Sequence, residues 1–282
     1  MIEVIFLLAL AFIWIIFAVV SDLKSTEIPN WLSFSLIIFA LVFRFFYSLF
    51  SAGDLNFFYQ GLIGLGIFFV ISNLLYYSRV FAGGDATLMM AMGPILPLSG
   101  SFFINIEIFL SFLILFMSAG AIYGIIMSIY FSSRNFNSFK KELLKWRKSY
   151  VKFNLAIMSL GVFVMIIGVF TDILLLYLGI IIFAMPLLYV YSRAVEESCM
   201  KKEISPKALR EGDLLYNDVR VGNKTVKASW EGITEKDMKI LAKSRKRIMI
   251  KYGIPFAPVF LIGLALLVYF YLINPVLWNS FW

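Results

Sequence analysis

Apolar runs of about twenty residues recur along this chain, and no other feature narrows its fold so far. A helix that crosses a bilayer needs ~20 mostly apolar residues. Runs near that length occupy 2–20, 31–50, 57–77, 108–131, 153–170, 173–191 and 254–273. Of 282 residues, 61% are hydrophobic and only 15% charged, where a soluble domain has about a quarter charged. The chain reads as an all-α polytopic membrane protein. Its first run has neither a basic leader nor a small-residue cleavage site, so it is expected to remain as a span. Arg44 interrupts the second run and must either snorkel to the head groups or pair inside the bundle. Gly61, Gly64 and Gly66 in the third suit close helix packing in lipid.

An eighth apolar stretch, 85–98, is too short to cross upright and contains Pro94 and Pro97. Such a half-length helix is tolerable only where protein surrounds it. Charge supports treating it as a crossing, the fourth of about eight. With the N-terminus outside, one side then carries 24 of the 25 Lys and Arg: Lys24, Arg79, seven between Arg134 and Lys152, and fifteen between Arg193 and Lys251. Only Arg44 lies elsewhere. Basic residues gather on the cytoplasmic side of membrane proteins, so that side is expected to face the cytoplasm of a cell membrane.

Three regions follow: a membrane core at 1–191, a polar cytoplasmic segment at 192–252, and the last span with a C-terminal tail at 253–282. The core includes a hairpin at 153–191 turning at Thr171-Asp172. In the polar segment, 234–252 reads as a helix opened by Thr234 and Asp237 as a capping box. Short alternating stretches around Gly212, Gly222 and Gly232 read as strands and turns. The run Lys243-Ser244-Arg245-Lys246-Arg247 suits anionic head groups beside a membrane. Membrane lipids are therefore an expected partner and nucleic acid is not.

The chain has no histidine and one cysteine, Cys199. That removes Ser-His-Asp and Cys-His catalysis and histidine-based zinc sites, and it leaves no disulfide framework. No metal or cofactor is implied. What remains is carboxylate chemistry. Asp85 follows Gly83 and Gly84 at the mouth of the short fourth segment, where it would serve as N-cap. The two glycines allow unusual backbone angles and close approach. Asp22 ends the first span on the same side. Each aspartate alone reads equally well as a helix cap. Together they form a possible catalytic pair, because two close carboxylates cannot both ionise cheaply and so share a proton.

Asp22 with Ile28-Pro29-Asn30 resembles the D-x5-I-P-N signature of type IV prepilin peptidases and archaeal preflagellin peptidases. Gly84-Asp85 resembles the second signature of these GxGD membrane aspartyl proteases. Gly93-Pro94 and the proline-rich entry Ile254-Pro255-Phe256-Ala257-Pro258 are also similar to family features. The resemblance implies an aspartyl endopeptidase with Asp22 and Asp85 catalytic, and Gly83, Gly84, Pro29 and Asn30 supporting the motifs. It implies as substrate a pilin-like or archaeal flagellin precursor whose short basic leader is cut at the cytoplasmic face. Glu27 is a candidate for holding that leader. There are departures: Ala82 stands at the first glycine of GxGD, and Thr87 where the family often has lysine. The cysteine-rich zinc-binding loop of many bacterial relatives is missing, which favours the archaeal type.

Two other classes fit the same composition. An ion-coupled transporter also uses short broken helices and membrane carboxylates, although no internal repeat is visible. A non-catalytic membrane scaffold needs only the basic segment. Both rivals predict that leader cleavage survives replacement of either aspartate.

Overall fold

A computed structural model describes residues 2–52, 54–222, 224–244 and 246–273. The tail expected at 274–282 and Arg245 of the basic run lie outside the described residues. The chain divides into two compact units, 1–125 with 254–282, and 126–253.

The first unit is a helical bundle. It comprises α1 (Ile2–Ser25), α2 (Asn30–Tyr47), α3 (Asn56–Tyr77), α4 (Gly83–Met92), most of α5 (Phe102–Arg134), and α10 (Ala257–Val268). α10 is named in chain order; the elements between belong to the second unit. Its interior is apolar: Leu7, Ile15, Leu36, Phe68, Phe112, Phe116 and Phe260 are wholly buried. Outward faces carry Phe, Ile and Leu, as lipid-facing helices do.

Short α4 packs against α2 and α3. Leu88, Met89, Ala91, Met92, Ile95 and Leu96 in and after it have no exposure at all. This is the sunken helix that its length demands, with protein all round it. Glycines allow the approach. A Cβ on Gly93 would stand 2.6 Å from the Gly64 carbonyl oxygen, and one on Gly64 would collide with Gly93.

Beyond α4 the chain stays non-helical through Pro97, leaving carbonyls without helical partners. Arg44 meets them from α2. Its Nε donates to the Pro94 carbonyl at 2.6 Å, its terminal nitrogens to Pro97 at 2.6 Å and Phe57 at 2.9 Å, and its guanidinium lies 4.2 Å from the centre of the Phe57 ring. The side chain is fully buried. Of the two fates open to Arg44, pairing inside the bundle is the one observed. Gly61 makes room, since a Cβ there would sit 2.5 Å from Arg44 Cδ.

The second unit holds the end of α5, α6 (Phe136–Ser149), α7 (Val151–Phe170), α8 (Ile173–Cys199) and a small strand region. α7 and α8 pack tightly through Gly161, Gly168 and Gly179. Asp172 caps α8 by accepting from the Leu174 amide at 2.9 Å. The basic stretch expected after the fifth span is itself mostly helix, as α6. Helices α5 and α8 run beyond the apolar stretches expected for them, α8 as far as Cys199.

After α8 come β1 (Lys201–Ile204), β2 (Leu214–Leu215), β3 (Val219–Val221), β4 (Lys224–Val226), α9 (Glu235–Leu241) and β5 (Ile248–Lys251). β5 pairs antiparallel with both β1 and β2, and β3 pairs with β4. Gly212, Gly222 and Gly232 take positive φ at the turns, the left-handed conformation that favours glycine. The capping box forms as expected, with the Asp237 amide donating to Thr234 Oγ1 and the Thr234 amide to Asp237. The helix expected over 234–252 does not: it ends at Leu241. Ile248 and Ile250 point into a small core with Leu209, Leu215, Val226, Ile233 and Leu241, while Met249 between them is exposed. That two-residue alternation belongs to a strand.

Among the described residues, six helices, α1, α2, α3, α5, α7 and α8, are long and apolar enough to cross a membrane, and α10 is a shorter apolar helix.

Candidate active site

Asp22 lies one turn before the end of α1, and 5% of its surface is exposed. A buried carboxylate needs donors, and they come from the start of α10. The Ala257 amide donates to Asp22 Oδ2 at 2.8 Å, and the Phe256 amide also bonds this carboxylate. Four residues separate α1 from α2. In that link Thr26 takes φ +56° and its amide donates to the Asp22 carbonyl, closing the helix.

Asp85 is not the N-cap of α4. The helix starts at Gly83 with Ala82 at the cap position, which makes Asp85 the third residue of the first turn. From there its carboxylate reaches back to the Ala82 amide, as the acid of a capping box does. The helix begins three residues earlier than a cap at Asp85 implies, because Gly83 and Gly84 take ordinary helical angles instead of breaking it. Neither has a positive φ.

Close approach is what Gly84 provides. A Cβ on it would stand 3.0 Å from Ile28 Cβ and 3.1 Å from the Ile28 carbonyl oxygen. Ile28 is buried, Pro29 caps α2 from an extended conformation, and Asn30 is its exposed first residue. The two signature segments therefore touch, and the contact sets the start of α4 against the link after α1. The charge of Asp22 reaches Asp85. Gly83 faces open space, with only a Tyr76 ring carbon at 4.0 Å. Thr87 bonds inward, to the Gly84 carbonyl at 2.9 Å and Ser33 Oγ at 3.3 Å. Glu27 is exposed, and its carbonyl accepts from Ser21 Oγ.

Sequence reasoning missed the amides of Phe256 and Ala257 as the grip on Asp22. Their only trace is the pair of prolines, Pro255 and Pro258, bracketing a helix start. It also missed a buried polar pair at the other end of the unit, Asn105 Nδ2 donating to Gln60 Oε1 at 3.0 Å. Among the described residues, no group of three or more Cys, Asp and Glu is placed to hold a metal ion.

Fold and site define a multi-pass helical membrane protein with two neighbouring aspartates at one end of a bundle. Residues 9–130 match the model of the type IV leader peptidase family, so that segment is similar to type IV leader peptidases. The match takes in both aspartates and both signature segments, and it ends before α6. Neither the curated proteins nor the solved structures give a match.

Proposed function

We propose that this protein is an aspartyl endopeptidase that removes the short basic leader of pilin-like or flagellin-like precursors at the cytoplasmic face of the cell membrane. The observation that supports this reading is the contact of Ile28 with Gly84, which brings the two signature segments, each carrying one of the aspartates, against one another. One carboxylate takes a proton from water as the water oxygen bonds to the scissile carbonyl carbon. The other, protonated, donates to the carbonyl oxygen. Collapse of the tetrahedral species breaks the C–N bond, and a proton passes to the leaving amine.

The chain crosses eight times, with α4 and α10 as its short crossings and the N-terminus outside. The four-residue link between α1 and α2 has no room for a zinc-binding loop, which favours the archaeal type of enzyme. Precursor leaders would enter beside Glu27, which is exposed at that link. Open space over Gly83 would admit an extended substrate backbone.

The test is cleavage of a leader-bearing pilin-like substrate by detergent-solubilised protein, read by gel shift. Wild type should cleave, and folded Asp22→Asn and Asp85→Asn should not. Cleavage surviving either substitution would overturn the aspartyl mechanism and return the transporter or scaffold readings.

A further inference from the structure

Tyr123 on α5 carries a hydroxyl with no hydrogen bond to the described residues. Phe112, Phe116, Ala119, Gly120 and Tyr123 form one stripe on α5, and the first three are buried. At Gly120 this stripe lies directly on the segment that holds Asp22, since a Cβ there would stand 3.0 Å from Phe256 Cζ and 3.5 Å from Val259 Cγ1. Phe116 packs against the Phe256 and Phe260 rings with centroids 5.8 and 4.7 Å away. Tyr123 comes one turn later on the same face, half-buried against the bundle core. Its phenol feels the charge of Asp22. Yet the hydroxyl makes no hydrogen bond with any described residue, whereas Tyr47, Tyr191, Tyr216 and Tyr252 all do. The hydroxyl is not an enclosed atom, so a substrate group can reach it.

We propose that the Tyr123 hydroxyl is kept for substrate and donates to the carbonyl oxygen of the scissile peptide bond. This rests on the peptidase reading above. As water adds to the carbonyl carbon, negative charge grows on that oxygen, and a fixed O–H donor beside it is worth most at that moment. The phenol keeps its proton throughout. The tetrahedral oxygen is protonated from the dyad, so no further group is consumed.

Wild type, Asp22→Asn, Tyr123→Phe and Tyr123→Leu should be compared in detergent on one leader-bearing substrate, with kcat and KM measured separately and Tm recorded. Tyr123→Phe should lower kcat ~100-fold with KM within about twofold and Tm unchanged, because the hydroxyl bonds nothing in the resting protein. Tyr123→Leu should lose as much in kcat and lower Tm as well, having lost the ring. A wild-type kcat in Tyr123→Phe, or a change confined to KM, would overturn the assignment while leaving the dyad intact. Wild type and Asp22→Asn cleaving equally, or neither cleaving, would overturn the peptidase reading itself and this assignment with it.

Discussion

At the scale of single residues, the contact between Gly84 and Ile28 constrains the site most. The nearest atoms to a new Cβ on Gly84 are the Cβ, oxygen and nitrogen of Ile28. None is the far end of a flexible chain, so nothing can swing aside. Gly84→Ala should cost ~1–3 kcal/mol of stability through overpacking and should slow cleavage. Shortening the neighbour, in Ile28→Ala, should not restore the rate, because the offending atoms remain. Thermal unfolding in detergent together with cleavage rates checks this; full rescue by Ile28→Ala would show that the side chain and not the backbone sets the limit. Glu27 makes a separate prediction. If its carboxylate attracts the basic leader, Glu27→Gln should raise KM more than it lowers kcat, and an unchanged KM would remove the idea. Both aspartates were legible from residue types, because acids at the ends of apolar stretches stand out: Asp85 directly behind two glycines, and Asp22 six residues before Ile28-Pro29-Asn30. What grips Asp22 was not: Ala257 lies 235 residues away, and no local pattern records a contact that only the bundle creates.

Among the elements, α4 depends on a side chain that belongs to α2. Among the described residues no carboxylate pairs with Arg44, whose buried positive charge is balanced by carbonyl oxygens at the end of a short helix, where the helix dipole is negative. Removing it strands those carbonyls in an apolar interior. Arg44→Met should therefore destabilise by ~3–5 kcal/mol despite adding apolar surface, and Arg44→Lys should recover little, since a single ammonium cannot span the same fork of acceptors. Detergent thermal shifts measure both; a neutral Arg44→Met would mean the carbonyls find other donors. Hydropathy predicted that α4 must be surrounded by protein, and could not say what finished it, because Pro94 to Pro97 lie some fifty residues from Arg44 in sequence. The other misread element is β5. The alternation of Ile248, Met249 and Ile250 was present in the chain, but a basic run read as a continuing helix hid it. Where local chemistry is self-contained, the reading held: α9 starts on its capping box. Hydrogen bonds from the Thr234 hydroxyl and backbone amide hold the Asp237 carboxyl below its ordinary value of 3.8. A lowered carboxyl contributes stability that is whole above the unfolded value and is lost as pH falls through the folded one. Protection of the first amides of α9 against hydrogen exchange should thus weaken as pH drops below about 4, and Asp237→Asn should flatten that dependence.

For the molecule as a whole, the physical choice that sets the topology is whether α4 counts as a crossing. At ten residues it spans ~15 Å, half of a bilayer core. Length alone argues against it, and charge argues for it: without this crossing, the fifteen basic residues between Arg193 and Lys251 would face outward. The interior resolves how such a helix can exist, since the chain continues buried through Ile95 and Leu96 with Arg44 supplying the donors that lipid cannot. Apolar runs made the long helices legible from composition, because each must satisfy its own backbone; a crossing completed by a non-helical segment has no such signature and shows itself only through the charge on the loops around it. The consequence is measurable with single cysteines in a Cys199→Ala background. Ser101, exposed before α5, should as Ser101→Cys react with a membrane-impermeant maleimide in intact cells. Exposed Lys148, in α6, should as Lys148→Cys react only after permeabilisation. If α4 did not cross, the two positions would exchange behaviour, because every later segment inverts together. The proposed cytoplasmic placement of the basic segment would then fall, while the contact of Ile28 with Gly84 inside the bundle would stand.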